Sequence, residues 1–532
     1  MNSNDLSHRF ECLLGAGQGH LLRHGLKGLE KESLRLSSGG SIAQTPHPPG
    51  LGSALTHPGI TTDYSEALIE LITPPFADPA ATLSYLEDLH TFVYRHLDEE
   101  FLLASSMPCG LDGDESIPIA RYGSSNIGQM KHVYRCGLAW RYGRSMQAIA
   151  GVHFNYSVNE ALWPVLRELE IAPESPRKFV DAAYFGMVRN VHRFGWLPIY
   201  LFGMSPAVDK SFFRGRESLA ARFPEFDEHT LYRPYATSLR MSDIGYRNDN
   251  QSGLDISFDD LDSYVASLSR AIATPYADYE RIGVRGEDGE YRQLNGNILQ
   301  IENEYYSAIR PKQVAVSGEK PTLALRRRGV RYLELRCLDL GLFDPAGVSL
   351  ERLCFLEVFL LYCLLLESPS LLAEEKRICA HNGLVVACCG RTDGFRLQRV
   401  NPAGEMDEVS LREWGEQMLE SMQRIAEVLD AEDPDRLYSR SVRSQREVVA
   451  DPELTPAYRI MHTLGQTGES IAEFSLKLSH QHAAYFHGRK QAADTVAAFR
   501  AEADQSLAEQ ARIEAADTLP FEEFLQRYFA QA

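Results

Sequence analysis

The chain has 532 residues, 44% hydrophobic and 24% charged, which is the composition of a chain that buries a sizeable core rather than one that stays disordered. A formal charge of −19 argues against a nucleic-acid partner, because phosphate backbones need a positive face. It still admits a nucleotide held through divalent cations, whose ligands would then be Asp and Glu.

The N-terminus, Met1 to Leu14, is polar and has no apolar stretch of signal-peptide type. Residues 24–75 read as strand, loop, strand, the loop running through Ser37–Gly40 and Pro46–Gly50. In the first of these strands Glu30 and Glu32 share one face. They lie roughly 7 Å apart and repel by about 2 kcal/mol at an effective dielectric of about 20. A cation between them removes that repulsion, while a solvated strand face is the plain alternative. The second strand, Thr61–Ile72, carries Asp63, Tyr64 and Glu70, and Glu70 lies inside the apolar stretch Ala67–Ile72. A lone carboxylate there is costly unless it is paired, metal-bound or on a wet edge.

Residues 80–100 have helical spacing, with Leu83, Leu86, Leu89, Phe92, Val93 and Leu97 recurring mostly at three or four. Residues 149–158 alternate, placing His153, Asn155 and Ser157 on one face; a hydrogen-bonded core histidine is the plain reading. Residues 176–193 read as a helix ending at the Gly195-Trp196-Leu197-Pro198 break. Residues 296–306 and 330–340 alternate as strands. The former puts Gln300, Glu302 and Glu304 on one face; the latter sets Glu334 and Arg336 against Leu333, Leu335 and Cys337.

From Gly347 onward the pattern is mostly helical, with Leu411–Leu429 and Ile471–Ala484 amphipathic and Glu502–Ala516 charge-rich. The apolar run Cys354–Leu366 contains Glu357 and falls short of the ~20 residues that cross a bilayer, so it reads as a buried helix. The loop near 368–410 is the one plausible boundary. The expectation is a single domain over 1–532, with a catalytic sheet core at about 25–345 and a mainly helical part at about 346–532. Nine cysteines show neither a disulfide framework nor zinc spacing, which points to reduced thiols in a reducing compartment.

Each polar strand face has an ordinary explanation by itself. Together they imply an α+β fold whose sheet has one wet, carboxylate-rich face. Hard oxygen ligands select Mg²⁺ or Mn²⁺ over zinc, and Arg336 among glutamates would meet phosphate charge. There is no Walker A sequence, no Gly-x-Ser-x-Gly elbow and no HExxH; Gly15–His20 is only part of a dinucleotide fingerprint and follows no strand. The residues alone therefore point to a metal-dependent phosphoryl-transfer enzyme.

The segments GLEKESLRL (28–36), LGSALTHPGITTDYSEALIELITPP (51–75), YGSSNIGQMKHVYRCGL (122–138), MQAIAGVHFNYS (146–157), RFGWLPIYLFGMSPAV (193–208), PYATSLRMSDIGYRN (234–248), LQIENEYYSAIRPK (299–312) and YLELRCLD (332–339) resemble the proteobacterial glutamate–cysteine ligase family. Beyond residue 370 the resemblance is mainly helical character, except for EAADTLPFEEFL (514–525). The resemblance implies a glutamine-synthetase-like curved antiparallel sheet forming a funnel, surrounded by helices. It implies ATP-dependent joining of the L-glutamate γ-carboxylate to the L-cysteine amine through a γ-glutamyl phosphate, the first step of glutathione biosynthesis. Glu30, Asp63, Glu70 and Glu334 match magnesium ligands, and Glu32 and His153 match further residues of the metal and nucleotide site. Arg336 matches the arginine facing the transferring phosphoryl group. Arg240, Tyr246 and Tyr306 match residues that hold the cysteine carboxylate, and Tyr64, Tyr134, Leu138 and Gln147 match the lining of the cysteine pocket.

Lys31 replaces the family's usual arginine, and Tyr64 stands where a phenylalanine can occur. No ATP-grasp region follows, so the chain resembles the monofunctional enzyme. The rival readings are a ligase with another amine acceptor, a small-molecule kinase of the same fold, and a non-catalytic metal or nucleotide sensor built on a ligase scaffold. A cytoplasmic monomer acting on small molecules, with neither nucleic acid nor membrane as partner, is the expectation.

Overall fold

The computed structural model describes residues 6, 8–245, 254–401 and 404–531. Its strands are β1 (Leu26–Leu36), β2 (Ile60–Thr62), β3 (Leu68–Ile72), β4 (Phe101–Leu102), β5 (Val152–Ser157), β6 (Ala207–Asp209), β7 (Thr230–Tyr232), β8 (Ile309–Lys312), β9 (Tyr332–Leu338), β10 (Arg396–Val400) and β11 (Met406–Ser410). The main sheet has the order β2-β3-β1-β5-β9-β8, with β4 paired to the end of β1. Every pairing in it is antiparallel.

Alternation divides this sheet into two faces. Leu29 of β1, Phe154 and Tyr156 of β5, and Leu333 and Leu335 of β9 turn into one large core. Behind them lies the Leu350–Leu365 helix, whose residues Arg352 to Leu365 are all buried. It starts at Ser349, whose hydroxyl accepts from the Arg352 amide at 3.3 Å. The Pro176–Phe194, Leu411–Leu429 and Leu437–Ala450 helices pack around it, so the apolar run needs no polar side. Among the described residues no helix is long and apolar enough to cross a membrane.

One ion pair spans this core. Lys27 Nζ lies 2.7 Å from both Glu357 carboxylate oxygens, and each side chain is 1% exposed. The Tyr438 hydroxyl donates to the same carboxylate at 2.7 Å. Replacing Glu357 by Ala strands Lys27 without its counter-charge, which costs about 3–5 kcal/mol. Urea unfolding measures this; a loss below about 1 kcal/mol would show that the pair does not hold β1 to the helix.

Three expected elements come out differently. Residues 296–306 form no strand: Glu302–Glu304 is a 3₁₀ turn. The Glu304 carboxylate folds back to accept from its own chain at Gln300 N, at 2.7 Å, and such a local bond competes with a sheet ladder. The helix at Pro176–Phe194 is followed directly by another, Trp196–Phe202. Gly195 stays right-handed, and Pro198 falls in the first turn of the new helix, where its missing N–H costs nothing. Finally, the stretch expected as a loop at 368–410 holds the Ala373–Cys389 helix and the β10–β11 hairpin. Val386, Leu397 and Val409 join the same core as the sheet.

Candidate active site

The polar face of the sheet is built by register. Glu30 pairs with His153, Glu32 with Glu70, and Glu334 with both Asn155 and Arg310. Residues as far apart in the chain as Asn155 and Glu334 thus stand side by side. His153 Nδ1 lies 3.2 Å from a Glu30 oxygen and 3.5 Å from a Glu334 oxygen, and its Nε2 lies 3.6 Å from Glu32. Two triads, Glu30–His153–Glu334 and Glu32–Glu70–His153, each present ligand atoms within 4.8 Å of one another. Asn155 donates to Glu30 at 2.9 Å, and the Gly151 amide donates to Glu32 at 2.7 Å.

Arg336 Nη1 donates to Glu334 at 2.8 Å, and Lys312 Nζ lies 3.2 Å from the other Glu334 oxygen. Burial works against ionising Glu334, but Arg336, Lys312 and His153 hold it well below the ordinary carboxylate range. Burial and Glu334 also oppose ionisation of Glu30, yet the His153 hydrogen bond and Lys312 leave it lowered. Glu32 and Glu70 behave in the opposite way. Burial and the charge of Asp63 push Glu32 up to about 8. Burial, with Glu30, Asp63 and Glu32 close by, raises Glu70 well above its usual value. Burial, reinforced by neighbouring acids, thus leaves Glu32 and Glu70 with too little stabilisation of their charged forms. A donor set of carboxylates and one imidazole, with two acids short of positive charge, fits a hard divalent cation.

Asp63 follows β2 in the turn to β3. Its backbone oxygen accepts from Arg135 Nε and from the Tyr122 hydroxyl. Asp63 lines a cavity of about 390 Å³ with Glu30, Glu70, His153, Glu334 and Arg336. Tyr64, Tyr134, Leu138, Gln147 and Tyr306 line the same cavity. Tyr134 and Leu138 stand one turn apart on the Asn126–Tyr142 helix, which Ser125 caps by accepting from the Gly128 amide. Gly137 is needed there, since a Cβ would lie 2.1 Å from the Gln300 side chain.

Two expected residues stand behind the cavity wall. Glu32 belongs to the second triad but not to the lining. Arg240, 1% exposed, sits on the Leu239–Met241 turn and donates from Nη2 to the Arg336 carbonyl at 3.1 Å. Its guanidinium lies against Gly151, where a Cβ would come within 2.2 Å of Nη2. Tyr246 lies outside the described residues.

Four lining cations escaped the sequence reading: Lys131, Arg135, Arg310 and Lys312. Their spacing was available, with Lys131 and Arg135 at i, i+4 on a helix and Arg310 and Lys312 at i, i+2 on a strand. With Arg336 they give the acidic floor a basic rim.

A profile of the family described as glutamate-cysteine ligase matches residues 11–386. The glutamate–cysteine ligase of Pseudomonas paraeruginosa is 49% identical over 528 residues, covering 99% of this chain and 98% of that one. The chain belongs to the glutamate–cysteine ligase family. That of Azotobacter vinelandii is likewise 49% identical over 532 residues. The crystal structure of the glutamate–cysteine ligase of Francisella tularensis, a complex with AMP, superposes with a TM-score of 0.87 at 35% identity, covering 95% of this chain and 98% of that chain. A bifunctional glutathione synthetase from Pasteurella multocida gives 0.73 at 26% identity, and the match spans 58% of its length. The ligase is thus an enzyme that forms γ-glutamylcysteine at the expense of ATP, the first step of glutathione synthesis. Its fold is the family's antiparallel sheet set among many helices; the described residues are 51% helical and 13% strand and form no closed barrel.

Proposed function

We propose that the acidic sheet face holds the metal-nucleotide end of the reaction and that the Tyr64–Gln147 side of the cavity holds the cysteine. The observation that carries this is the pair of carboxylate–His153 triads set directly beside Arg336 at one cavity, with Glu32 just behind its wall. Glu30, Glu334 and His153, and Glu32, Glu70 and His153 with Asp63 adjacent, would hold Mg²⁺, or Mn²⁺ in its place. Bound there, divalent cations neutralise phosphate charge and align in-line attack. The AMP held by the Francisella relative supports a nucleotide in the cavity.

A carboxylate oxygen is a poor leaving group, so the glutamate γ-carboxylate first takes the γ-phosphoryl group of ATP. This gives an acyl phosphate and ADP, and the cysteine amine then displaces phosphate. Arg336 meets the charge on the transferring phosphoryl group. Lys131, Arg135, Arg310 and Lys312 supply cations for the phosphate and carboxylate groups around it. To Tyr306 on the cavity wall, with Arg240 buried behind it and with Tyr246, we assign the holding of the cysteine carboxylate.

A core running from Leu6 to Phe499 supports one catalytic domain. Nine free cysteines support a cytoplasmic setting.

Metal binding has a pH signature. Glu32 titrates near 8 in the folded chain against an ordinary 4.5, so between those values the folded state holds a proton that the unfolded state lacks. Its contribution to stability is therefore present at low pH and lost as pH rises through 8. A Mg²⁺ ion held by the Glu32–Glu70–His153 triad would take the place of that proton. The rise in melting temperature on adding Mg²⁺ should be larger at pH 8 than at pH 5.5, and Glu32→Gln should flatten the difference. An equal rise at both pH values in the unaltered chain would contradict the metal assignment.

Tyr64 bears on the acceptor. Its ring lines the cavity, and its hydroxyl is buried with no hydrogen-bond partner among the described residues. A thiol on the acceptor supplies one. Tyr64→Phe should raise KM for cysteine by about 3–10-fold and leave that for 2-aminobutyrate, which has no sulfur, unchanged. Equal effects on the two acceptors would place the hydroxyl away from the cysteine side chain.

A further inference from the structure

Asp339 closes the Tyr332–Asp339 motif but takes no place in the cavity lining, and it is 1% exposed. Its Oδ2 accepts from the Met204 amide and the Ser205 hydroxyl, each at 2.7 Å, and its Oδ1 accepts from the Ser238 hydroxyl at 2.8 Å. Those two hydroxyls continue the chain of contacts. Ser205 Oγ accepts from the Arg240 amide at 3.3 Å, and Ser238 Oγ accepts from the Met241 amide at 3.2 Å.

The direction of these bonds matters. A hydroxyl has one hydrogen. An ionised carboxylate only accepts, so it turns both serine hydrogens towards itself and leaves their lone pairs for the amides of the Leu239–Met241 turn. That turn carries Arg240, whose guanidinium reaches the Arg336 carbonyl. Arg336 stands three residues before Asp339 on the same run of chain. The Asp339 carbonyl is itself held by Arg352 Nη1 at 3.3 Å. One carboxylate thus ties the turn of Arg240 to the strand of Glu334 and Arg336. The direct donors to this buried carboxylate are all neutral, with the Arg352 guanidinium as its neighbouring charge, and a neutral acceptor would suffice for an ordinary turn.

We propose that Asp339 is a positioning residue for the acceptor half of the reaction. It fixes Ser205 and Ser238 so that Arg240 meets the cysteine carboxylate in register with Arg336. This rests on the assignment of Arg240 to cysteine given above.

The test is a double-variant cycle on Asp339→Asn and Arg240→Ala, with KM measured separately for cysteine, glutamate and ATP. In Asp339→Asn an NH₂ group replaces one acceptor oxygen and faces donors. The expected result is a rise in KM for cysteine of about tenfold, with the other two constants within about twofold. Arg240→Ala should add to Asp339→Asn no more than it takes to reach the level of Arg240→Ala alone. A rise shared by all three substrates, or full additivity of the two variants, overturns the proposal. If Arg240→Ala leaves KM for cysteine unchanged, the assignment of Arg240 falls and the proposal falls with it. If Arg240→Ala raises it and Asp339→Asn does not, the proposal falls and the assignment stands. Should Asp339→Asn fail to fold, Ser238→Ala decides: it removes one link, and a smaller rise confined to cysteine is the supporting result, while no rise or a general one overturns the proposal.

Discussion

Arg336→Ala should lower kcat by about 10²–10⁴-fold while the protein remains folded. Arg336 is the one arginine that the polar face of β9 presents to the triads, with Nη1 at 2.8 Å from Glu334 and 3.4 Å from His153. Its charge sits where the transferring phosphoryl group gathers negative charge, so the loss falls on the transition state more than on the bound substrates. KM values should move far less than kcat. Arg336→Lys keeps a cation but not the planar fork, and should recover only part of the rate. Removal of Arg336 also strips Glu334 of a counter-charge, so circular dichroism and a melting curve belong beside the kinetics. Near-normal turnover in a folded Arg336→Ala protein would remove the arginine from the phosphoryl-transfer step.

Glu334→Gln should cost about 10²–10³-fold in kcat, with a higher Mg²⁺ concentration needed for half-maximal rate. The substitution keeps the shape and removes the charge. Glu334 is the carboxylate that Arg336, Lys312 and His153 together hold well below the ordinary range, and of the other triad acids Glu30 alone is lowered with it. Glu32 and Glu70 are raised, and each needs a cation before it ionises fully. The Mg²⁺ dependence separates a ligand from a structural acid: an unchanged Mg²⁺ requirement with reduced kcat would assign Glu334 to holding Arg336 alone.

The faces of β1, β3, β5 and β9 were legible because a strand repeats every two residues, and Glu30, Glu32, His153, Glu334 and Arg336 keep to that period. Their register was not, because hydrogen bonding between strands far apart in sequence leaves no local mark. The pairing of Glu32 with Glu70 appears only once β1 and β3 meet. The run Gln300–Glu304 shows how alternation misleads: its acids alternate like a strand, but Glu304 is committed to Arg141, Tyr142 and its own backbone. Arg240 lies on a short turn with no period at all, so family resemblance alone pointed to it. The Ala373–Cys389 helix was missed because its apolar residues form no clear stripe. Lys131 and Arg135 were readable at helical spacing, but a positive pair on a helix looks like solvated surface until the cavity beside it is known.

The most direct test of the whole account measures ADP release by purified protein with ATP and Mg²⁺, omitting glutamate or cysteine in turn, and weighs the product by mass spectrometry. The account predicts that ADP release needs both amino acids and that the product has the mass of γ-glutamylcysteine. ADP released as fast with another amine in place of cysteine, or without any dipeptide, would contradict it.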